Sequence, residues 1–151
     1  MKPVLTWFAL ATTALMLAAC STFRVASKPT LISPSGHSMD PVDRLQVKIQ
    51  FNQPVNRSTL VLGKTFILTT ENHDTVRGSL YWSADSRSVT FRSAMSLKQL
   101  FTFDPDGHFY LKIIGTDTGN GAVKDRAGEF LDGDGDDVQG GNYDETLVIT
   151  G

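Results

Sequence analysis

Apolar and polar residues alternate along most of the chain after Asp40. This alternation is the pattern of β-strands that have one buried face and one solvent-facing face. The clearest run is 45–51, and a short apolar pair, Leu31 and Ile32, predicts a first edge strand. Further runs, separated by turn-forming residues, lie at 65–70, 75–82, 88–92, 109–113 and 147–149. The pattern predicts an all-β fold, a β-sandwich of about seven short strands.

One segment departs from the strand pattern. In 93–101 (SAMSLKQLF) the apolar residues approximate helical spacing, which predicts a helical turn. Tyr81 and Trp82 are neighbours on a predicted strand, so one ring must face away from the core. No segment alternates a strand with a long helix, which excludes a parallel α/β sheet.

The N-terminal segment has the features of a signal peptide. Lys2 supplies a positive charge, and 4–17 is an uncharged, largely apolar stretch that is too short to span a bilayer. The stretch ends in 17–20 (LAAC), which resembles the lipobox of bacterial lipoproteins. This resemblance implies cleavage after Ala19, a diacylglyceryl thioether on Cys20 and an acylated new amino terminus, with Ser21 permitting sorting to the outer membrane. The alternative is an ordinary secretory peptide with an incidental cysteine.

These features predict three segments: a signal peptide at 1–19, a lipidated tether at 20–27 and the sandwich at 28–151. Cys20 is the only cysteine, which excludes an internal disulfide. The 14 basic and 16 acidic residues give a net charge of -2, which argues against a nucleic-acid partner. The charge is uneven, because 124–151 contain two basic and eight acidic residues.

The acidic end contains an apparent cation loop. Asp132, Asp134 and Asp136 are two residues apart and are separated by glycines, so their oxygens can converge on a hard cation. The loop is similar to the first half of an EF-hand loop, but Asp137 and Tyr143 replace the glycine and the bidentate glutamate expected at positions 6 and 12. We therefore predict a structural calcium site between strands, closed by Asp144 or the amide of Asn142. The alternative is a solvated acidic turn.

Several short motifs resemble, in their order, bacterial Ig-like domains of the S-layer (SbsA) type. This resemblance implies an Ig-like sandwich that serves as a spacer or adhesion module in surface proteins. Some members of that family carry a loop similar to 131–136 followed by Gly-Gly and an aromatic residue, as in 140–143. The motifs are 33–36 (SPSG), 49–55 (IQFNQPV), 83–86 (SADS), 89–91 (VTF), Tyr110 with Ile113 and Gly115, and 123–128 (VKDRAG).

Catalytic motifs are weak. The three histidines are isolated, and Asp104, Asp106 and His108 lie in a turn that favours a solvated loop over a second cation site. We therefore predict a non-enzymatic lipoprotein of the cell envelope, anchored in the outer membrane, whose module contacts an envelope protein or polysaccharide. The alternatives are a small metal-dependent hydrolase, a polysaccharide-binding module and a subunit of a larger envelope complex.

Overall fold

A computed structural model describes residues 22–27, 29–31 and 43–149 of the 151-residue chain. The predicted signal peptide, Cys20 and Ile32 lie outside these residues. The described elements are seven strands, one short α-helix and a 3-10 helix at Arg57–Thr59. The strands and the α-helix are β1 (Thr30–Leu31), β2 (Arg44–Gln50), β3 (Phe66–Thr70), β4 (Gly78–Trp82), β5 (Ser88–Ser96), α1 (Leu97–Phe103), β6 (His108–Ile114) and β7 (Asn142–Val148).

The strands form two antiparallel sheets. One sheet has the order β1-β2-β5-β4, and the other has the order β3-β6-β7. Numbered along the chain, these orders are the ABED and CFG sheets of the constant-type immunoglobulin fold. The prediction of an all-β, Ig-like sandwich is therefore confirmed.

The core lies between the inner faces of the two sheets. In β2, Leu45, Val47 and Ile49 are buried, as the alternation predicts. Phe66 of β3 and Phe91 of β5 stack across the sandwich with ring centroids 5.6 Å apart. Tyr81 faces solvent, whereas Trp82 packs against the core. Period-two burial therefore explains the strands.

The predicted helical turn begins four residues later than expected. β5 continues through Ser96, and α1 covers Leu97–Phe103. The start is fixed by a capping box, in which the Ser96 side chain accepts from the Gln99 N–H and the Gln99 side chain accepts from the Ser96 N–H. The described residues include no helix that is long and apolar enough to cross a membrane.

The segment predicted to be a tether is instead packed into the domain. Phe23 is fully buried, and its ring lies 5.7 Å from the ring of Phe51. The Ala26 N–H donates to the Gln50 carbonyl at 2.7 Å, and the Asp132 N–H donates to the Phe23 carbonyl at 2.8 Å. Residues 22–27 therefore belong to the sandwich, because their backbone supplies hydrogen-bonding partners at two places in the fold.

Candidate metal site

The acidic loop leads into the last strand and is held by the backbone at both ends. The Gly133 N–H donates to the Gly140 carbonyl at 3.0 Å, and the Gly140 N–H donates to the Leu131 carbonyl at 3.1 Å. A Cβ atom at Gly133 would meet backbone atoms of Asn142 and Tyr143. The closed ends fix the positions from which the acidic side chains project.

Three of the four predicted ligands lie together. Carboxylate oxygens of Asp132, Asp134 and Asp136 all lie within 4.8 Å of one another. Oxygens that share one calcium ion, each 2.3 to 2.6 Å away, are at most about 5 Å apart. The spacing of the three carboxylates therefore fits a single calcium ion. Among the described residues, this is the one group of three or more His, Cys, Asp or Glu side chains that could hold a metal.

Asp132 organises the loop. Its side chain is buried, and its Oδ1 and Oδ2 accept the N–H groups of Gly135 at 2.8 Å and Asp137 at 3.0 Å. Each carboxylate oxygen has a further lone pair available for a cation. Asp134 and Asp136 are exposed, so two sides of the cluster are open to solvent.

Asp137 takes the backbone conformation that the EF-hand pattern assigns to glycine. Its φ is 66°, in the left-handed region that Asp and Asn adopt more readily than most residues. Its Oδ1 lies 3.3 Å from Arg24 Nη1, and its carbonyl accepts from the Thr22 hydroxyl. The N-terminal segment therefore supports the turn, which explains how the departure from glycine at this position is tolerated.

Gly141 leaves space for the Asp134 side chain. Its φ is 71°, and a Cβ atom there would lie 2.5 to 2.6 Å from the carboxylate atoms of Asp134. The Gly141 N–H donates to the Thr116 hydroxyl at 2.8 Å. A side chain at position 141 would displace Asp134, so this glycine positions the cluster.

The residues considered for closing the site have other hydrogen-bond or ion-pair partners. Asp144 is in β7, outside the three-carboxylate cluster, and its Oδ1 is 3.3 Å from Lys112 Nζ. The Asn142 Oδ1 accepts from the Gly115 N–H at 3.2 Å. Tyr143 donates to Glu145, and partial burial together with this contact raises the pKa of the phenol well above its ordinary value. The Tyr143 hydroxyl therefore stays protonated at physiological pH.

Two further candidate residues, Asp104 and His73, have hydrogen-bond partners in the fold. Asp104 is buried, and its Oδ2 accepts from the Glu71 N–H at 2.9 Å. The His73 Nδ1 lies 2.9 Å from the Glu71 carbonyl. Asp104 therefore ties the end of α1 to the turn after β3, which gives this carboxylate a structural contact in the fold.

A polar cluster that sequence reasoning missed lies at the turn between β4 and β5. Ser86 is fully buried in this turn, and its hydroxyl accepts from Arg57 Nε at 2.9 Å and from Arg126 Nη2 at 3.0 Å. The two arginines are 69 residues apart in the sequence. The sequence signal was weak, because Arg126 lies within the motif 123–128 and Arg57 lies two residues after the motif 49–55, and neither motif indicates a cluster of arginines.

The strand order and the loop define an Ig-like β-sandwich with an acidic cluster before its last strand. No protein-family model matches the sequence, and no curated protein matches it either. Among solved structures, the chain is similar to the surface layer protein SbsC, domains 1–6, at 16% sequence identity and a TM-score of 0.48. The match covers 86% of this chain and 14% of the SbsC chain.

Proposed function

We propose that the chain is a lipid-anchored, non-enzymatic module of the cell envelope whose acidic loop binds a structural calcium ion. The observation that carries the calcium proposal is the convergence of Asp132, Asp134 and Asp136 within 4.8 Å. Calcium prefers oxygen ligands and accepts flexible geometry, whereas magnesium demands a near-ideal octahedron. Solvent fills the coordination positions that the three carboxylates leave open.

The anchoring proposal comes from the sequence. The lipobox-like 17–20 ends a short apolar stretch, and Cys20 is the only thiol in the chain. Two or three acyl chains hold a protein on a membrane far more firmly than one, because each buried CH₂ adds about 0.8 kcal/mol. Ser21 after the cysteine is compatible with sorting to the outer membrane.

The non-enzymatic proposal is supported by what the candidate catalytic groups contact. The Asp104 carboxylate accepts a backbone N–H, and the His73 ring lies against a carbonyl of its own turn. Catalysis needs a nucleophile or base within hydrogen-bond reach of a reacting group. A structural ion also suits the position of the acidic loop, which joins the core residue Leu131 to β7.

Calcium is expected to stabilise the fold. At 10 mM calcium, dissociation constants of about 0.1 to 1 mM, typical of extracellular modules, give about 1.4 to 2.7 kcal/mol. For a domain of this size, that is a rise in Tm of roughly 5 to 10 °C. Thermal unfolding followed by circular dichroism, in calcium and in chelator, measures this shift.

Asp134→Asn is the variant for the calcium experiment, because Asp134 belongs to the carboxylate cluster and its side chain forms no hydrogen bond to the backbone of the described loop. It should lose most of the calcium-dependent rise while remaining as stable as the unmodified protein in chelator, since one repelling charge is gone. Asp106→Asn, in the exposed turn before β6, is the matched control and should keep the full rise. If the Tm of the unmodified protein is the same in calcium and in chelator, the loop is a solvated acidic turn.

An exposed tyrosine on the outer face of β6 favours an envelope polysaccharide as the partner. Tyr110 on the outer face of β6 is 40% exposed and lies between Thr69 and Thr146 of the flanking strands. An exposed ring flanked by hydroxyls offers a stacking face and hydrogen bonds to a sugar. Tyr110→Ala is expected to abolish retention on envelope polysaccharide, whereas Tyr81→Ala, on the other sheet, should not. Equal retention of both variants would assign the partner to another surface.

A further inference from the structure

The proposed lipid anchor leaves almost no slack between the membrane and the domain. This inference rests on that anchor. Cys20 precedes Thr22 by two residues, which span at most about 7 Å when extended. The Thr22 carbonyl accepts from Asn52 Nδ2 at 2.7 Å, and the next residue, Phe23, is fully buried. The end of the sandwich around Thr22 is therefore held against the headgroups.

Arginines are concentrated at that end. Asn52, which holds Thr22, also accepts through its carbonyl from Arg87 Nη1 at 3.1 Å. Arg87 follows Ser86, the residue on which Arg57 and Arg126 converge. All three of these arginines are exposed, and within the described part of the chain none of them forms an ion pair.

Arg57 and Arg126 are arranged as a clamp. Both guanidinium groups lie within 3.0 Å of the same hydroxyl oxygen, which brings two positive charges together. Arg57 is further fixed by the Ser83 carbonyl at 2.8 Å, and its guanidinium lies 5.6 Å from the centre of the Trp82 ring. Like charges that are held together on a surface favour an anion between them, and guanidinium groups match the geometry of phosphate.

The nearby carboxylates of the described residues form no ion pair with Arg57 or Arg126. Asp85 is exposed in the same turn, but its Oδ1 accepts from the Ser83 hydroxyl and the Arg87 N–H. Asp125 is buried and accepts from the Glu129 N–H. Asp137, whose carbonyl accepts from the Thr22 hydroxyl at the same end, is paired with Arg24 at 3.3 Å. The clamp lies at the end of the sandwich that holds Thr22, because the Arg126 N–H donates to the Pro54 carbonyl, two residues from Asn52.

We propose that Arg57 and Arg126, with Arg87 beside them, bind the phosphate of an anionic phospholipid in the membrane that carries the anchor. The clamp would fix the orientation of the sandwich, with the turn between β4 and β5 against the headgroups. The opposite end, where Arg77 precedes β4 and α1 begins, would then point away from the membrane.

Trp82 reports on this contact. The predicted mature chain contains a single tryptophan, because Trp7 lies within 1–19. The acylated protein is reconstituted into vesicles of phosphatidylcholine alone or with 30% phosphatidylglycerol, and quenching of Trp82 by acrylamide is measured. Quenching should be weaker in the anionic vesicles. Arg57→Gln/Arg126→Gln should remove the difference between the vesicles, and Arg57→Lys/Arg126→Lys should restore part of it.

The matched control is Arg77→Gln/Lys98→Gln, which removes two exposed cations at the opposite end and should preserve the difference. Circular dichroism checks that each variant is folded. Both clamp arginines donate to the Ser86 hydroxyl, so the double variant removes two hydrogen bonds from the turn between β4 and β5. Arg126→Gln alone, which keeps the Arg57 contact, is therefore tested as well. Equal quenching of the unmodified protein in the two vesicles, or an undiminished difference in the folded double variant, would overturn the proposal.

A second measurement separates this proposal from the anchor. Leu17→Ala/Cys20→Ser replaces the lipobox by an ordinary small-residue cleavage site and yields an unacylated chain. Its partition onto the anionic vesicles should fall roughly 30-fold when Arg57 and Arg126 become glutamine. Inorganic phosphate is added in place of the vesicles. If it reduces the acrylamide quenching of Trp82 as much as the anionic vesicles do, the clamp binds a soluble anion instead. Failure of the anchor proposal is detected separately, because the unmodified protein would then carry no bound fatty acid.

Discussion

Leu17→Ala/Cys20→Ser is expected to move the protein completely from the membrane to the soluble fraction. The proposed attachment depends on acyl chains on Cys20, and two or three such chains make release very slow. The double change is needed because Cys20→Ser alone leaves the apolar 4–17 attached if processing requires the lipid. The altered 17–20 segment ends in small residues that suit an ordinary signal peptidase.

Fractionation with and without detergent, combined with labelled fatty acid, measures this outcome. Leu17→Ala alone retains Cys20 and should stay labelled and membrane-bound. The double variant should be unlabelled, soluble and correctly cleaved. A processed double variant that still requires detergent would contradict lipid anchoring through Cys20. An unmodified protein that is unlabelled and soluble would favour a secretory peptide with an incidental cysteine.

The strands were predictable because one physical constraint acts at every second residue. A strand that buries one face must alternate, so β2 and β6 lie close to the runs 45–51 and 109–113. The start of α1 could also be predicted from the sequence, because Ser96 and Gln99 form a capping box of the S-x-x-Q type. Helical spacing alone placed that start too early, because β5 continues as a strand through Ser96.

The packing of residues 22–27 could not be read from local sequence. The segment STFRVAS around Phe23 is mostly polar and short, which is typical of a tether. Its burial depends on backbone partners near Gln50 and Asp132, which are remote in sequence. Edge pairing of this kind leaves no periodic signal, because only one or two side chains of the segment face the core.

The acidic cluster was predictable from spacing, but its boundary was not. Residues two apart in a glycine-rich loop bring Asp132, Asp134 and Asp136 together without help from the rest of the fold. Asp144 is eight residues beyond Asp136, and its position is set by the register of β7 with β6, which pairs it with Lys112. The Arg57–Ser86–Arg126 cluster likewise depends on contacts between residues far apart in the sequence.

Phe23→Ala is expected to destabilise the domain by about 3 to 5 kcal/mol, the usual range for truncating a buried phenylalanine. The ring is fully buried against Phe51, so its loss leaves a cavity beneath the N-terminal segment. A single domain has only about 5 to 15 kcal/mol of stability in total. The change should therefore bring the protein close to unfolding at physiological temperature.

Urea denaturation measures the loss in the free energy of unfolding. Phe103→Ala is the matched control, because it truncates a ring that is 59% exposed in α1, and it should cost well under 1 kcal/mol. Phe23→Ala should also weaken the response to calcium, because the Phe23 carbonyl accepts from the Asp132 N–H and the segment supports Asp137 through Arg24. A loss of less than about 1 kcal/mol would mean that residues 22–27 contribute no more than a surface segment does, as their composition alone suggests. The anchor would then have slack, and the clamp at Arg57 and Arg126 would no longer be held against the headgroups.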